Sequence, residues 1–329
     1  MTGVIKRIED ITEEQWKSVN PENIKIVEEF LRESTQLSPM TIQQYTSALK
    51  IYFYWVKINA GDKPFYQLKA RDYMLYQNYL VRNGLSSSAI KFKRSAVSSL
   101  NNYVVLYYGD DYKDFRQYIT KAIASPAPAF VHDKEPLTIK EYENLCTELE
   151  KQELFQQLAY IRVSFSTGAR REEIRQLQKD IAQSESKVIM SGDNEVKTYF
   201  THPVRCKGRG PQGKVRKLQF DEEAMTAIKK WLEVRGEDDC PYLFVTRRDG
   251  KYVEAGKTLF NSWSKAYFEK IVGRRFHPHL LRESRATTLV VEQGKDIKSA
   301  QKLLDHKSST TTEIYVIRKD QDDADDAFI

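Results

Sequence analysis

A proline-bearing stretch near the middle of the chain, residues 124–136 (Ala-Ser-Pro-Ala-Pro-Ala-Phe-Val-His-Asp-Lys-Glu-Pro), limits the fold more than any other feature. Pro126, Pro128 and Pro136 each remove a backbone N–H and crowd the preceding turn, so no helix runs through it. The stretch reads as an extended linker. It divides a chain of 329 residues, long for a single core, into two differently patterned parts.

The first part reads as helical. Ser38 is an N-cap with Pro39 at the first helical position, and Ile42, Tyr45, Leu49, Tyr52, Phe53 and Val56 recur at helical spacing. A second helix is expected over 70–82, stopping at Asn83-Gly84. Ser86-Ser87-Ser88 opens a third, whose first turns carry Lys91, Lys93 and Arg94, and a short fourth is expected over 111–122. No strand signal competes, so residues 21–123 are expected to form a small helical bundle, with 1–20 as an N-terminal extension.

The second part, 137–318, is mixed. Thr138-Ile-Lys-Glu141 is a capping box, followed by helix, a turn at Gly168, and helix to about residue 180. Strands are expected at 187–190, 196–206 and 215–220, with turns at 191–194 and 208–213. After Asp221 the pattern is mainly helical. The fold class expected is mainly α with a small antiparallel β-sheet: a helical domain, then a mixed α+β domain, then an acidic tail over 319–329.

Composition excludes several functions. An apolar fraction of 40% with 30% charged residues suits a soluble globular protein. No apolar run nears the roughly 20 residues that span a bilayer, and the N-terminus lacks the apolar core of a signal peptide. The expectation is a cytoplasmic protein with no membrane partner. Cys146, Cys206 and Cys240 stand far apart, which argues against a disulfide framework. His277 and His279 have no second ligand pair, so no metal site is expected.

Net charge is +6, mild in itself, but its distribution is uneven. Residues 41–100 carry nine Lys/Arg against two acids, a local excess of +7, whereas Asp320–Asp326 holds five aspartates. Basicity concentrated in this way suits a face that meets phosphates.

Six residues of the second part carry chemistry: Arg170, Lys207, His279, Arg282, His306 and Tyr315. Arg170 follows Gly168-Ala169 at a helix start, where the positive end of the helix suits an anion; Glu173 stands where it can orient the guanidinium. Alone, Arg170 reads more readily as an arginine pairing an acid on a solvated helix face. Lys207 ends a predicted strand before Gly208-Arg-Gly-Pro-Gln-Gly213, where a lysine can reach a DNA groove and carry a transferable proton. It also reads as an ordinary hairpin lysine, and Lys214 competes for the role.

His279 and Arg282 share one helix face, with Leu281, Leu289 and Val290 packing inward. That arrangement suits proton transfer at a phosphate, or a plain surface pair. His306 precedes the Ser308–Thr312 run, a helix-start signal, and Tyr315 falls in the first turns beyond. Among 19 tyrosines a lone one is ordinarily a packing aromatic; here the spacing to the other five singles it out.

These residues, in the contexts Ser-Thr-Gly-Ala-Arg-Arg-Glu-Glu, Cys-Lys-Gly-Arg-Gly, His-Leu-Leu-Arg-Glu-Ser, Asp-His-Lys and Glu-Ile-Tyr, make the second part resemble the tyrosine recombinase family, also called phage integrases. The resemblance covers 138–318 by motif. It extends loosely over 21–125 through the Ser38–Tyr45 helix, which looks like the start of the family's SAM-like core-binding domain, in a Cre- and Xer-like two-domain layout. It implies a tyrosine recombinase catalytic domain over 137–318 and a site-specific DNA recombinase used in integration, excision or resolution. Tyr315 would attack the scissile phosphodiester and form a 3′-phosphotyrosine. Arg170 and Arg282 would hold the non-bridging oxygens, Lys207 would protonate the leaving 5′-oxygen, His279 would take the tyrosine's proton, and His306 would hydrogen-bond the phosphate. No ATP, metal or other cofactor is implied.

Lys91, Lys93 and Arg94 would contact DNA; the alternative for them is a solvated basic helix face. The partners implied are double-stranded DNA at a specific site and a homo-tetramer on DNA, monomer or dimer without it. Accessory DNA-bending or directionality proteins belong to the same picture, as does a nucleoid-associated, bacterial or phage-encoded setting. Phe328 and Ile329 could plug a neighbouring protomer, or simply end a frayed tail. Two positions depart from the family pattern: Glu283 stands where histidine is usual and Asp305 where glycine is usual. Two carboxylates near the pocket lower its positive potential unless they turn outward. Competing readings are a catalytically silent, recombinase-fold repressor and, more remotely, a type IB topoisomerase or a helical scaffold.

Overall fold

Local caps set most helices of the first unit. In the computed structural model, which describes residues 8–121, 123–124, 135–191, 194–208 and 213–305, Thr12 and Gln15 cap α1 (Glu13–Lys17) reciprocally. Asn20 caps α2 (Pro21–Glu33), and Ser38 accepts from the Thr41 amide at the start of α3 (Pro39–Asn59). The helix α4 (Ala70–Arg82) ends at Asn83, with Gly84 at positive φ, and Ser86 caps α5 (Ser87–Tyr107). The three helices expected from sequence are all present.

The chain divides into two units, Met1–Asp133 with Gly208–Gly213, and Lys134–Lys207 with Lys214–Ile329. The first has its own core, in which Leu49, Tyr52, Phe53, Tyr73, Tyr76, Leu80 and Leu100 are buried. Trp16 and Val19, expected within an extension, are buried in that core as well. The helix expected over 111–122 is not there. Residues 108–115 form turns and 116–120 run irregularly, although Phe115, Tyr118 and Ile119 are buried. Contacts to α5 hold the segment instead: Arg94 donates to the carbonyls of Thr120 (2.7 Å) and Ile123 (2.6 Å), and the Gln117 side-chain amide donates to the Ser98 carbonyl (3.0 Å).

The second unit is built around α7 (Phe155–Thr167), whose residues from Leu158 are nearly all buried. Before it, α6 (Ile139–Lys151) starts at the expected Thr138–Glu141 capping box. After it, Gly168 takes the left-handed conformation and Arg170 caps the short α8 (Arg171–Arg175). Five strands follow where two or three were expected: β1 (Lys187–Ser191), β2 (Asn194–Phe200), β3 (Val204–Cys206), β4 (Lys214–Arg216) and β5 (Gln219–Asp221). All pairings are antiparallel, in the order β1-β2-β5, with β3-β4 separate.

The expected strand 196–206 is interrupted at Pro203, which cannot donate to a ladder. Thr201 bridges the gap, its amide donating to the Leu218 carbonyl (2.9 Å) and its hydroxyl accepting from the Leu218 amide (3.0 Å).

Then come α9 (Glu222–Arg235), the hairpin β6 (Val245–Arg248) and β7 (Lys251–Glu254), and α10 (Leu259–Trp263). A π-helical stretch at Ser264–Phe268 joins α10 to α11 (Glu269–Val272), and α12 (Pro278–Thr287) and α13 (Ile297–Leu304) complete the described α-helices. Hairpin β6–β7 stands within the mainly helical pattern expected after Asp221. Its turn residues, Asp249 and Gly250, both have positive φ, as a two-residue Asp-Gly hairpin turn requires.

Candidate active site

Arg170 and Arg282, more than a hundred residues apart, are drawn to one turn. Because Arg170 is the N-cap of α8, its amide donates to Glu173 Oε2 (3.1 Å), and its guanidinium reaches Glu173 Oε1 (3.1 Å). Arg282, on α12, is only 1% exposed. Its guanidinium donates to the carbonyl of Gly168 (2.6 Å), two residues before Arg170, and to the carbonyl of Leu304 at the end of α13. The sequence reading left the His279–Arg282 pair facing away from the core. In fact Arg282 turns inward onto backbone carbonyls, while the His279 side chain is 49% exposed.

Glu173 is the hub of the cluster. Its buried carboxylate takes Arg170 on one side and Arg216 Nη2 (3.0 Å) on the other. Burial pushes its carboxyl up, but the Arg216 and Arg170 guanidiniums and the Arg170 amide outweigh that and hold it below its usual range. Arg216 also donates to the Leu303 carbonyl (2.9 Å) and to Cys206 Sγ (3.3 Å). Gln176, at the end of α8, mimics a strand partner for Arg205: it donates to the Arg205 carbonyl (2.9 Å) and accepts from its amide (2.8 Å). The arginine-bearing turn is therefore docked on β3.

Lys207 directly follows β3 and is exposed. Across the hairpin, Cys206 pairs with Lys214, whose ammonium binds the carboxylate of Asp305. Asp305 has φ 52 and ends α13. Glu283 does not turn outward. It is 1% exposed, with Oε1 3.8 Å from His279 Nε2 one turn away. His306, Tyr315 and the tail with Phe328 and Ile329 lie outside the described residues; in sequence, His306 directly follows Asp305.

Sequence reasoning named Arg170, Lys207, His279 and Arg282 but missed Arg216 and Gln176. Lys214 and Arg216 stand two apart on one strand face, a signal that was available. Gln176 had none, because an amide that satisfies a strand is recognised only by its distant partner.

In the first unit, Lys91, Lys93 and Arg94 lie on α5. Lys91 is exposed beside a shallow depression lined by Ser95, Ser98, Ser99 and Asn102, while Arg94 spends its guanidinium on Thr120 and Ile123. Among the described residues no helix is long and apolar enough to cross a membrane.

Comparison with known proteins gives the same outline. Residues 135–322 match the phage integrase family and residues 24–107 match its N-terminal SAM-like domain. The SPbeta prophage-derived recombinase-like protein YomM of Bacillus subtilis (strain 168) is 29% identical over 328 residues, covering 98% of this chain and 96% of that protein. Tyrosine recombinase XerC of Oceanobacillus iheyensis is 26% identical over 300 residues, covering 87% and 88%. Among solved structures, the Tn1549 transposon integrase in complex with a circular intermediate DNA superposes with TM-score 0.63 at 17% identity, covering 88% of this chain and 93% of that one. The XerH site-specific recombinase bound to palindromic difH substrate does so with TM-score 0.62 at 18% identity, covering 100% and 99%.

Proposed function

The chain belongs to the phage integrase family of tyrosine recombinases, and from that premise we propose that Tyr315 is the nucleophile of a site-specific strand transfer on double-stranded DNA. The observation that supports this reading most is the convergence of Arg282 and Arg170 on the Gly168 turn, with the Arg282 guanidinium anchored to the Gly168 and Leu304 carbonyls. Cations preset by the fold do not need to reorganise as charge grows on the phosphate.

In the step proposed, the Tyr315 oxygen bonds to phosphorus as the bond to the 5′-oxygen breaks. The tyrosine proton passes to His279, and Lys207 protonates the departing oxygen. Arg170 and Arg282 hold the non-bridging oxygens, and His306 hydrogen-bonds the phosphate. The 3′-phosphotyrosine keeps the energy of the broken ester, and a 5′-hydroxyl from the partner strand reverses the step. We further propose a homo-tetramer on two recombining duplexes, with monomers or dimers free of DNA. DNA-bending or directionality proteins act as accessories, and Lys91 and Lys93 contribute phosphate contacts. On this reading the protein works in the cytoplasm at the nucleoid.

The test begins with a random-sequence pool of nicked duplexes, in which a cleaved end is lost and the covalent product accumulates. The duplex that the wild type captures covalently becomes the probe. Tyr315→Phe is expected to abolish capture and leave duplex binding nearly unchanged. An adduct formed by the Phe variant would remove Tyr315 from the role. Specific binding without any adduct from the wild type would favour a DNA-binding repressor on the same scaffold.

A further inference from the structure

We infer that Asp305 and Lys214 form a positioning pair, which sets where the chain enters His306 relative to the hairpin that carries Lys207. The inference rests on the reading of His306 and Lys207 as active-site residues.

Asp305 occupies a left-handed position, φ 52, at the C-terminus of α13. Glycine fits such a position without cost, and aspartate tolerates it. Its charge, however, faces the negative end of the helix, which disfavours an acid there. The Lys214 ammonium offsets both the charge and the exposed end by binding the carboxylate directly. Burial pushes the Asp305 carboxyl up, yet Lys214, with Arg216 and Arg170 beyond it, holds it below its usual range.

Lys214 is fixed in turn by strand pairing. It stands opposite Cys206, the residue before Lys207. Two residues along β4, Arg216 grips the same helix end through the Leu303 carbonyl (2.9 Å). Strand β4 therefore holds the last turn of α13 at two points, one beside the residue that precedes His306. Arg282 holds the Leu304 carbonyl as well, so among these contacts the Lys214 ion pair is the one that acts on Asp305 itself. The Lys214 and Asp305 side chains are 54% and 28% exposed, and a pair so open to water adds little to stability. Its effect is expected in placement rather than in folding.

The experiment compares wild type, Asp305→Gly, Lys214→Ala, the double variant and Lys214→Arg in single-turnover capture of the nicked probe duplex. Duplex binding and melting temperature are measured alongside, and both are expected to stay near wild type. Misplacing a catalytic group by about 1 Å costs up to about 10²-fold, so each single loss is expected to slow capture by about tenfold or more. The double variant should be no slower than the slower single, and Lys214→Arg should regain most of the rate.

A second substrate carries sulfur in place of the leaving 5′-oxygen and needs no protonation. It should restore Lys207→Ala but neither Asp305→Gly nor Lys214→Ala. Wild-type rates in Asp305→Gly would overturn the inference, since glycine fits the left-handed position and the variant lacks the ion pair. So would losses that multiply in the double variant. Rescue of Lys214→Ala by the sulfur substrate would make Lys214 the proton donor and also end the positioning role. Absence of any wild-type adduct would instead sink the active-site reading, and this inference with it.

Discussion

Glu173 shows how one residue's environment, more than its type, sets its job. Two guanidiniums share its buried carboxylate, so removing its charge leaves both cations with an unmet partner. Breaking such a buried arrangement costs about 3 kcal/mol or more. Its folded carboxyl titrates below the ordinary 4.5, so its contribution is fully present above that value and is lost as pH falls through the folded one. Chemical unfolding of wild type and Glu173→Gln is expected to show a stability gap that is widest at neutral pH and narrows once pH drops under about 4.5. A gap that stays constant from pH 7 to pH 3 would mean that the carboxylate is not held by its cations. At this scale the sequence singled out Arg170 and Arg282 by residue type and spacing, and the structure draws both to the Gly168 turn. The burial of Arg282 was not legible, since nothing local says that a guanidinium will be buried against the carbonyls of Gly168 and Leu304.

Elements meet most tightly where Gly168 separates α7 from α8. Gly168 has φ +57, and a Cβ built there would lie 2.4 Å from Leu304 Cδ2 on α13. Leu304 is wholly buried, so it has little room to yield. Gly168→Ala is expected to destabilise the protein by about 1–3 kcal/mol through left-handed strain and overpacking together. Denaturant unfolding measures that, and slower covalent capture should accompany it, because the Leu304 carbonyl holds Arg282. A stability unchanged by the substitution would mean that α13 does not pack against this turn. The glycine was readable as a turn; its contact with α13 was not. The same contrast holds elsewhere. The Ser38, Ser86 and Thr138 caps announced their helices, since a cap acts within four residues. The segment 111–122 looked helical, yet it is tied to α5 instead, through Arg94 on its carbonyls and through the Gln117 side chain on the Ser98 carbonyl. The Asp249-Gly250 turn carried a hairpin signal that the mainly helical reading of its surroundings passed over.

At the scale of the molecule, the two largest apolar clusters share no residue. A fragment ending at Ala124 is therefore expected to fold alone, with helical circular dichroism and cooperative thermal unfolding. Leu49→Ala in that fragment should cost about 2–5 kcal/mol, as other buried leucine truncations do. A fragment without a cooperative transition would show that the first core depends on the rest of the chain. The expected division rests on prolines and on a change from helical to mixed patterning, signals that act through local backbone chemistry. By itself the sequence determined the class of each part, the starts of its principal helices and the chemical types that suit a phosphate. Only the tertiary structure decided which cation serves which partner: Arg216 at Glu173 and Leu303, Lys214 at Asp305, Arg282 at Gly168 and Leu304. Those pairings join residues 22 to 114 positions apart. Packing, not local propensity, brings such groups within hydrogen-bond reach.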